Sequence, residues 1–403
     1  MSSLFSSDVV VIGSGPAGSA TALFLARAGF DVALLDRSSF PRTKACGEYL
    51  TPGAVRLLRD EIGVLPELLH QGAARLTRET VVPHWAAPFG GATAALACPR
   101  TVTDAVLREA AQAAGARVFD SISVREILRD NIGVRGVSGT DRDGMIVEFR
   151  ARVTVGADGT RSLLARTLGA VKPIPRLQRI ALVAHYAAAD GDDTDSVNMH
   201  LPRDGSDACC GVGPPCGPDG TRNVNIVVPL SESPHMAGRR QAYFESRLRA
   251  AFPQVWEGVR DTPQSGPLLS VGCFGHHTTR ATDDGAVLVG DAATFIHPFT
   301  GEGVFFALRG AQMAAGTIGR ALEAEDVSRH GLRGYDAARR AELLPRYRLC
   351  DLVQRVVHSP TLLTWASARL RRSEPLTDLL LRAVGDLARP ADLFSLNTLR
   401  LAL

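Results

Sequence analysis

An α/β fold with α+β elements is predicted for this 403-residue chain by three strand-to-turn-to-helix junctions and by two strand-rich blocks set among them. The first junction, Asp8-Val-Val-Val-Ile-Gly-Ser-Gly-Pro-Ala-Gly18, is a G-x-G-x-x-G turn that closes an apolar strand and opens a helix. Gly13 permits the tight turn, Gly15 lets the backbone approach a pyrophosphate, and Gly18 lets helix and strand pack closely. Pro16 and Ala17 begin the helix, whose free N–H groups and dipole favour a phosphate. Asp36 closes the next strand, where it can accept hydrogen bonds from a ribose, and Arg37 follows it. A glycine-rich turn can open any helix. Strand, glycines, helix and acid in this register instead form a Rossmann-type dinucleotide-binding unit.

Two further junctions add to the first. Val153-Thr-Val-Gly-Ala-Asp158-Gly159-Thr-Arg-Ser162 is a strand ending in Gly-Ala-Asp-Gly, with Ser162 starting a helix. Val287-Leu-Val-Gly290-Asp291-Ala-Ala is another strand end, followed by His297-Pro298-Phe-Thr-Gly301-Glu302-Gly303. With these motifs in this order, roughly residues 5–345 resemble the flavoprotein family typified by para-hydroxybenzoate hydroxylase. That family also contains the geranylgeranyl reductases and the flavin-dependent halogenases. The resemblance implies FAD, bound non-covalently because no attachment residue stands at a family-matching position. It implies a discontinuous Rossmann-type FAD-binding domain of residues 1–63, 99–171 and 276–345. A β-sheet substrate domain (64–98 and 172–275) and a C-terminal helical cap (346–403) complete the expected organisation.

The elements read as follows along the chain. Residues 1–63 give strand, helix, strand and a lid-like loop. Residues 64–98 carry short alternating apolar pieces interrupted by Pro83, Pro88 and Gly90-Gly91, as strands of another sheet would. Over 101–115, Val102, Ala105, Val106 and Ala110 recur at helical spacing and Gly115 is the stop. Strand patterns near 122–128, 132–138 and 145–155 form a meander with Asp143-Gly144 as a hairpin turn. A second strand-rich block fills 172–275, with turns at 190–195, 202–205 and 214–220. The chain returns to the cofactor domain at 285–345, and 346–403 reads as helices broken by Pro360, Pro375 and Pro390.

The third junction bears on the flavin. Gly301 and Gly303 have no side chains, so the pyrimidine edge can approach their backbone N–H groups. The apolar helix 304–322 then points its positive end at a region that becomes anionic on reduction. The resemblance places Gly290, Asp291 and Pro298 at the cofactor, with Asp291 on the ribityl chain or pyrophosphate. Arg100, before the helix near residue 101, reaches the FAD phosphates or is a flanking surface arginine. Asp158 is tied by resemblance to the cofactor domain and to bound pyridine nucleotide.

Phe40-Pro41-Arg42-Thr43-Lys44-Ala45-Cys46-Gly47-Glu48-Tyr49-Leu50-Thr51-Pro52-Gly53 resembles the geranylgeranyl reductase branch, which sets this cysteine loop close to the isoalloxazine. Cys46 and Gly47 are therefore expected at the flavin, and Cys46 or Glu48 as a catalytic proton donor or shaper of the flavin face. A small buried cysteine beside a turn is the competing reading. Lys44 would favour thiolate character by proximity. The aromatic strand that many isoprenoid reductases carry is matched here by Ala208-Cys-Cys-Gly-Val-Gly-Pro214, and the halogenase tryptophan element is absent. The expected activity is FAD-dependent reduction of C=C bonds in a hydrophobic small molecule, with hydride from the flavin, a proton from the protein and NAD(P)H or another reductant as donor. Monooxygenation of an aromatic or polyketide-like substrate is the alternative, and a non-catalytic flavin-binding partner the third reading.

Composition narrows the classes. Hydrophobic residues make up 45% and charged residues 22%, as in a globular protein with ample core. A net charge of +3 without an aromatic-laced basic run gives no nucleic-acid signature. Seven irregularly spaced cysteines argue against a disulfide framework. No signal peptide or apolar run of about 20 residues is found, so a cytoplasmic location is expected. Gly211-Val-Gly213-Pro-Pro-Cys-Gly217 cannot open a helix, so it is not a second nucleotide loop. Cys209, Cys210 and Cys216 lack a partner pair at zinc spacing, and no metal is expected. The C-terminal stripes Leu362, Leu363, Trp365 and Leu376, Leu379, Leu380 run beside Arg369, Arg371, Arg372 and Arg382. They form either a packed cap or a peripheral membrane-contact surface.

Overall fold

Strand Ser3–Ile12 lies at the centre of an eight-stranded sheet, and its last four residues are buried, as a parallel strand between helices requires. The computed structural model describes residues 3–82, 85–88, 94–272, 274–296 and 299–394. From Ala286–Leu288 through Ile146–Gly156, Ser3–Ile12 and Val32–Leu35 to Arg117–Phe119, neighbouring strands pair in parallel. Ser123–Arg129 and Val134–Thr140 add an antiparallel meander to Ile146–Gly156, close to where strand patterning put it. Helix Pro16–Arg27 packs on the sheet between Arg100–Ala113 and Gly303–Glu323. Parallel pairing brings Ile12, Leu35, Gly156 and Leu288 to one edge, so the three glycine junctions and Asp36 meet there. Ligands of open α/β sheets bind outside this edge.

A second, seven-stranded sheet runs from Leu269–Gly272 through Arg179–Tyr186, Thr221–Pro229, Cys209–Cys216 and Ser196–His200 to Arg78–Val82 and Trp85–Pro88. Period-two alternation splits its residues between two faces. Ala184, Val224, Ile226 and Val228 pack beneath helices Arg240–Ala251 and Pro253–Val259, through Phe244, Leu248 and Val255. The opposite face, including Ala181, Val183 and Val227, turns toward the first sheet's carboxyl edge. Cys209–Cys216 is a strand of this sheet, with a register shift between Val212 and Pro215 where two prolines supply no N–H.

Two expected boundaries move. Residues 64–98 are not one piece of the substrate sheet. Leu65–His70 is a helix whose Leu65 and Leu68 join the core of the cofactor domain, and Ala74–Leu76 and Ala95–Ala97 pair instead with Tyr49–Leu50. Only Arg78–Val82 and Trp85–Pro88 of that segment enter the seven-stranded sheet. The division between 345 and 346 cuts through a single helix, Arg329–Val357. Its buried residues Leu332, Tyr335, Leu343, Leu349 and Cys350 run past Pro345, so packing outweighs a proline cost of about 3 kcal/mol. Pro360 and Pro375 do start new helices, Pro360–Arg372 and Glu374–Val384, in the first-turn positions that tolerate them. Pro83, Gly90-Gly91, His297 and Pro298 lie outside the described residues.

Candidate active site

The carboxyl edge of the first sheet and the inner face of the second enclose a cavity of about 1160 Å³. Helices Pro16–Arg27 and Gly303–Glu323 both begin on it, and neither has a side-chain cap, so their first N–H groups remain available to a ligand. A Cβ on Gly15 would stand 3.6 Å from Arg42 Nη2 and 3.8 Å from Arg100 Nη2. One buried carboxylate holds both cations there. Asp104 accepts a bidentate pair from Arg100 at 2.7 and 2.8 Å and lies 3.2 Å from Arg42 Nη1. Bare backbone flanked by two guanidiniums at a helix N-terminus is a diphosphate site. Burial, and then Arg100, pulls the ammonium of neighbouring Lys44 below its ordinary pKa.

Asp36 is buried and accepts from Ser14 N at 2.8 Å and Ser38 N at 2.9 Å, which fixes the glycine turn and leaves lone pairs for ligand hydroxyls. Arg37 is exposed at the cavity mouth. Asp158 Oδ2 accepts from Leu163 N at 2.7 Å, while its Oδ1 is buried without a partner, and burial raises this carboxyl's pKa. Ser162 caps the same short helix by accepting from Ala165 N at 3.1 Å. Asp291, Gly301 and Gly303 also line the cavity. A Cβ on Gly303 would meet nothing within 4 Å, whereas Gly301 has φ +69° and Tyr49 Cδ1 would lie 2.3 Å from a Cβ there. Two uncapped helix ends, the cation pair at Gly15 and the orphaned Asp158 oxygen fit FAD, its diphosphate at Gly15 and its pyrimidine end at Gly301 and Gly303.

Not every residue expected at the cofactor lines the cavity. Gly18 and Gly290 do not line the cavity. A Cβ on Gly18 would lie 1.8 Å from Gly13 O, and one on Gly290, at φ +57°, 2.7 Å from Ala17 Cβ. Both glycines serve helix packing. Pro298 lies outside the described residues.

The cysteine loop lies where the two sheets meet. Cys46 and Gly47 line the cavity, and Asn223 Nδ2 donates to Cys46 O at 2.9 Å. Glu48, at φ +58°, donates its N–H to Cys46 Sγ at 3.4 Å. Its carboxylate is not a free acid, because both oxygens stand 3.1 Å from His185 Nε2. Burial works against the charge on His185, but Glu48 outweighs it and raises the imidazole above its ordinary pKa. His185 and Asn223 are register partners on adjacent strands, as are Val183 and Asn225. These polar residues were missed at the sequence level. Their alternation along one face of otherwise apolar strands was the available signal. Glu79, also missed, lines the cavity from Arg78–Val82, and burial lifts its carboxyl to about 7, with Glu302 adding to the shift. Much of the remaining wall is apolar, formed by Val183, Val197, Met199, Val227 and Phe274, with Asn225 and Ser270 among them.

The fold and this site define an FAD-dependent oxidoreductase. Residues 6–343 match the FAD binding domain family, and the chain belongs to it. Among its relatives, the menaquinone reductase of Mycobacterium tuberculosis is 32% identical over 372 residues, covering 85% of each chain. Digeranylgeranylglycerophospholipid reductase 1 of Methanopyrus kandleri is 30% identical over 372 residues, 86% of this chain and 93% of that protein. The flavin-dependent brominase Bmp2 shares the fold with a TM-score of 0.82 at 21% identity, over 98% of both chains.

Two predictions follow from this geometry. Gly15→Val should abolish FAD binding while the apoprotein melts close to wild type, because its side chain enters open cavity. Gly18→Ala should instead destabilise the apoprotein by about 1–3 kcal/mol, since a methyl group is driven into backbone. FAD-to-protein ratios and denaturant unfolding separate the two, and full occupancy in Gly15→Val would refute the diphosphate site.

The Glu48–His185 pair should make stability depend on pH. With the folded pKa of His185 raised, its contribution is fully present below the ordinary histidine value of about 6.5 and is lost as pH rises through the folded value. Melting temperatures measured across that window should fall in wild type relative to His185→Gln. Parallel curves would dismiss the pair.

Proposed function

We propose that this protein reduces carbon–carbon double bonds in a hydrophobic, prenyl-bearing small molecule, with NAD(P)H or another soluble two-electron reductant as donor. The observation that carries this reading is the continuity of the cofactor end of the cavity with an apolar chamber walled by strand residues such as Val183, Val197 and Val227. The naming of two relatives as reductases of a quinone and of a prenylated phospholipid supports it. Bound and reduced, FAD supplies two electrons and one of the two hydrogens. The protein holds the alkene, excludes water and delivers the remaining proton.

Cys46 and Glu79 are the cavity-lining groups proposed for that last task. The carbonyl of Cys46 is held by Asn223, and its thiol accepts from Glu48 N, so the loop presents a fixed surface to substrate. Glu79 keeps its acid form populated up to about pH 7. Glu48, paired with His185, positions the loop. No helix among the described residues is long and apolar enough to cross a membrane. The helix Pro360–Arg372 exposes Leu362 and Trp365 and ends in Arg369, Arg371 and Arg372, a surface suited to drawing a lipid from a membrane face.

After anaerobic incubation of the reduced holoprotein with a prenylated quinone, and reoxidation of any quinol to the quinone, mass spectrometry should show a product heavier by two hydrogens in its prenyl chain. No anaerobic product, with oxygen-dependent gain of one oxygen atom, would make the protein a monooxygenase instead. Cys46→Ala should keep its FAD but lose about tenfold in turnover, about 1.4 kcal/mol of transition-state stabilisation. Wild-type turnover should decline above about pH 7 as Glu79 loses its proton, and Glu79→Gln should be slower and lack that limb. An unchanged profile in Glu79→Gln would remove it from the proton path.

A further inference from the structure

Residues 300–303 are tied to the C-terminal helices by a buried polar cluster that cofactor contacts do not explain. Asp386 follows helix Glu374–Val384 and is 1% exposed. Its Oδ1 accepts from Arg346 Nη1 at 3.0 Å and its Oδ2 from Thr51 Oγ1 at 2.9 Å. Glu302 is 2% exposed and is the N-cap residue of Gly303–Glu323. Its Oε2 accepts from the Cys350 thiol, which in turn accepts from Thr300 Oγ1 at 3.3 Å. Tyr49 and Glu79 are the other titratable groups whose charge is felt here.

Charge bookkeeping constrains this cluster. Two carboxyls face one guanidinium, and a surplus buried charge costs several kcal/mol, so one carboxyl retains a proton. Burial raises both above the ordinary carboxylate range, and the charge of Glu302 adds to the rise at Asp386. The donors decide between them. Arg346 is ion-paired to Asp386, which also receives the Thr51 hydroxyl, and both stabilise an anion there, whereas Glu302 receives the Cys350 thiol and is hydrogen-bonded with Thr300 and with Asp386 itself, an arrangement that suits a proton held on Glu302.

We propose that Asp386, ion-paired to Arg346, keeps Glu302 in its neutral acid form, so that the positive end of helix Gly303–Glu323 is left to the cofactor rather than cancelled by its own N-cap carboxylate. A helix end carries about half a unit charge, and an ionised carboxylate on the adjoining residue would more than offset it. Asp386 is thus a positioning residue that acts on bound FAD through Glu302, independently of which substrate the enzyme reduces.

The test compares flavin midpoint potentials in the holoprotein and its variants. Asp386→Asn removes the like-charged neighbour and lets Glu302 ionise against Arg346. Reduced FAD should then lose about tenfold in affinity relative to oxidised FAD, a fall of about 30 mV for a two-electron couple. Glu302→Gln copies the neutral acid and should leave the potential unchanged, and the double variant should return it to wild type. Infrared spectra should show a carboxylic-acid C=O band that disappears in Glu302→Gln. A shift of the same size in Glu302→Gln, no shift in Asp386→Asn, or absence of the band would each overturn the proposal. Should Asp386→Asn fail to fold, as judged by melting and FAD content, the band and the Glu302→Gln potential decide the matter.

Discussion

Parallel pairing is the constraint on which the rest of this molecule depends. Because Ser3–Ile12 pairs in parallel with both Val32–Leu35 and Ile146–Gly156, and the latter with Ala286–Leu288, all four strands finish at one edge. Residues as far apart as Gly15 and Gly303 then line one cavity without direct chain connection. The edge also demands close packing. Helix Pro16–Arg27 can approach the turn only because Gly18 leaves room for Gly13 O, and Gly290 makes similar room for Ala17. Substituting either would move a helix N-terminus, not merely a side chain.

A cofactor with a charged diphosphate inside an apolar domain raises an electrostatic problem, which the chain meets by spending few buried charges on several tasks. Asp104 is the clearest example. Fully buried, it orients Arg100 and Arg42 together, so the two guanidiniums flank Gly15 instead of spreading into solvent. Fixed cations of this kind cost little reorganisation when an anion arrives. At Gly303 a Cβ would meet nothing within 4 Å, so the start of helix Gly303–Glu323 faces the cavity as bare backbone. Strong fixed charge serves the part of the ligand whose charge is constant. A softer dipole serves the part whose charge changes.

The α/β class, the three junctions and most of the residues around the diphosphate were legible in the sequence, because each is a local pattern: an apolar run, a turn glycine, a helix start. Gly13, Gly15 and Asp36 were read from the spacing of the first motif, and Gly301 from the family resemblance. What was not legible depends on register. His185, Asn223 and Asn225 become a group only when Arg179–Tyr186 pairs with Thr221–Pro229, and Glu48 acquires its partner only when that sheet meets the cysteine loop. Helix Leu65–His70 was hidden because a six-residue helix is too short to display a period. The helix through Pro345 crosses the expected 345/346 boundary because tertiary packing overrides the local rule against internal proline.

The same helix, Arg329–Val357, explains why the C-terminal region cannot be a detachable cap. It carries Tyr335 into the cofactor-domain core, Arg346 to Asp386 and Cys350 to Glu302, all on one continuous element. Anchored in the core, at residues 300–303 and at the turn after the last helix, it packs these three regions into one body.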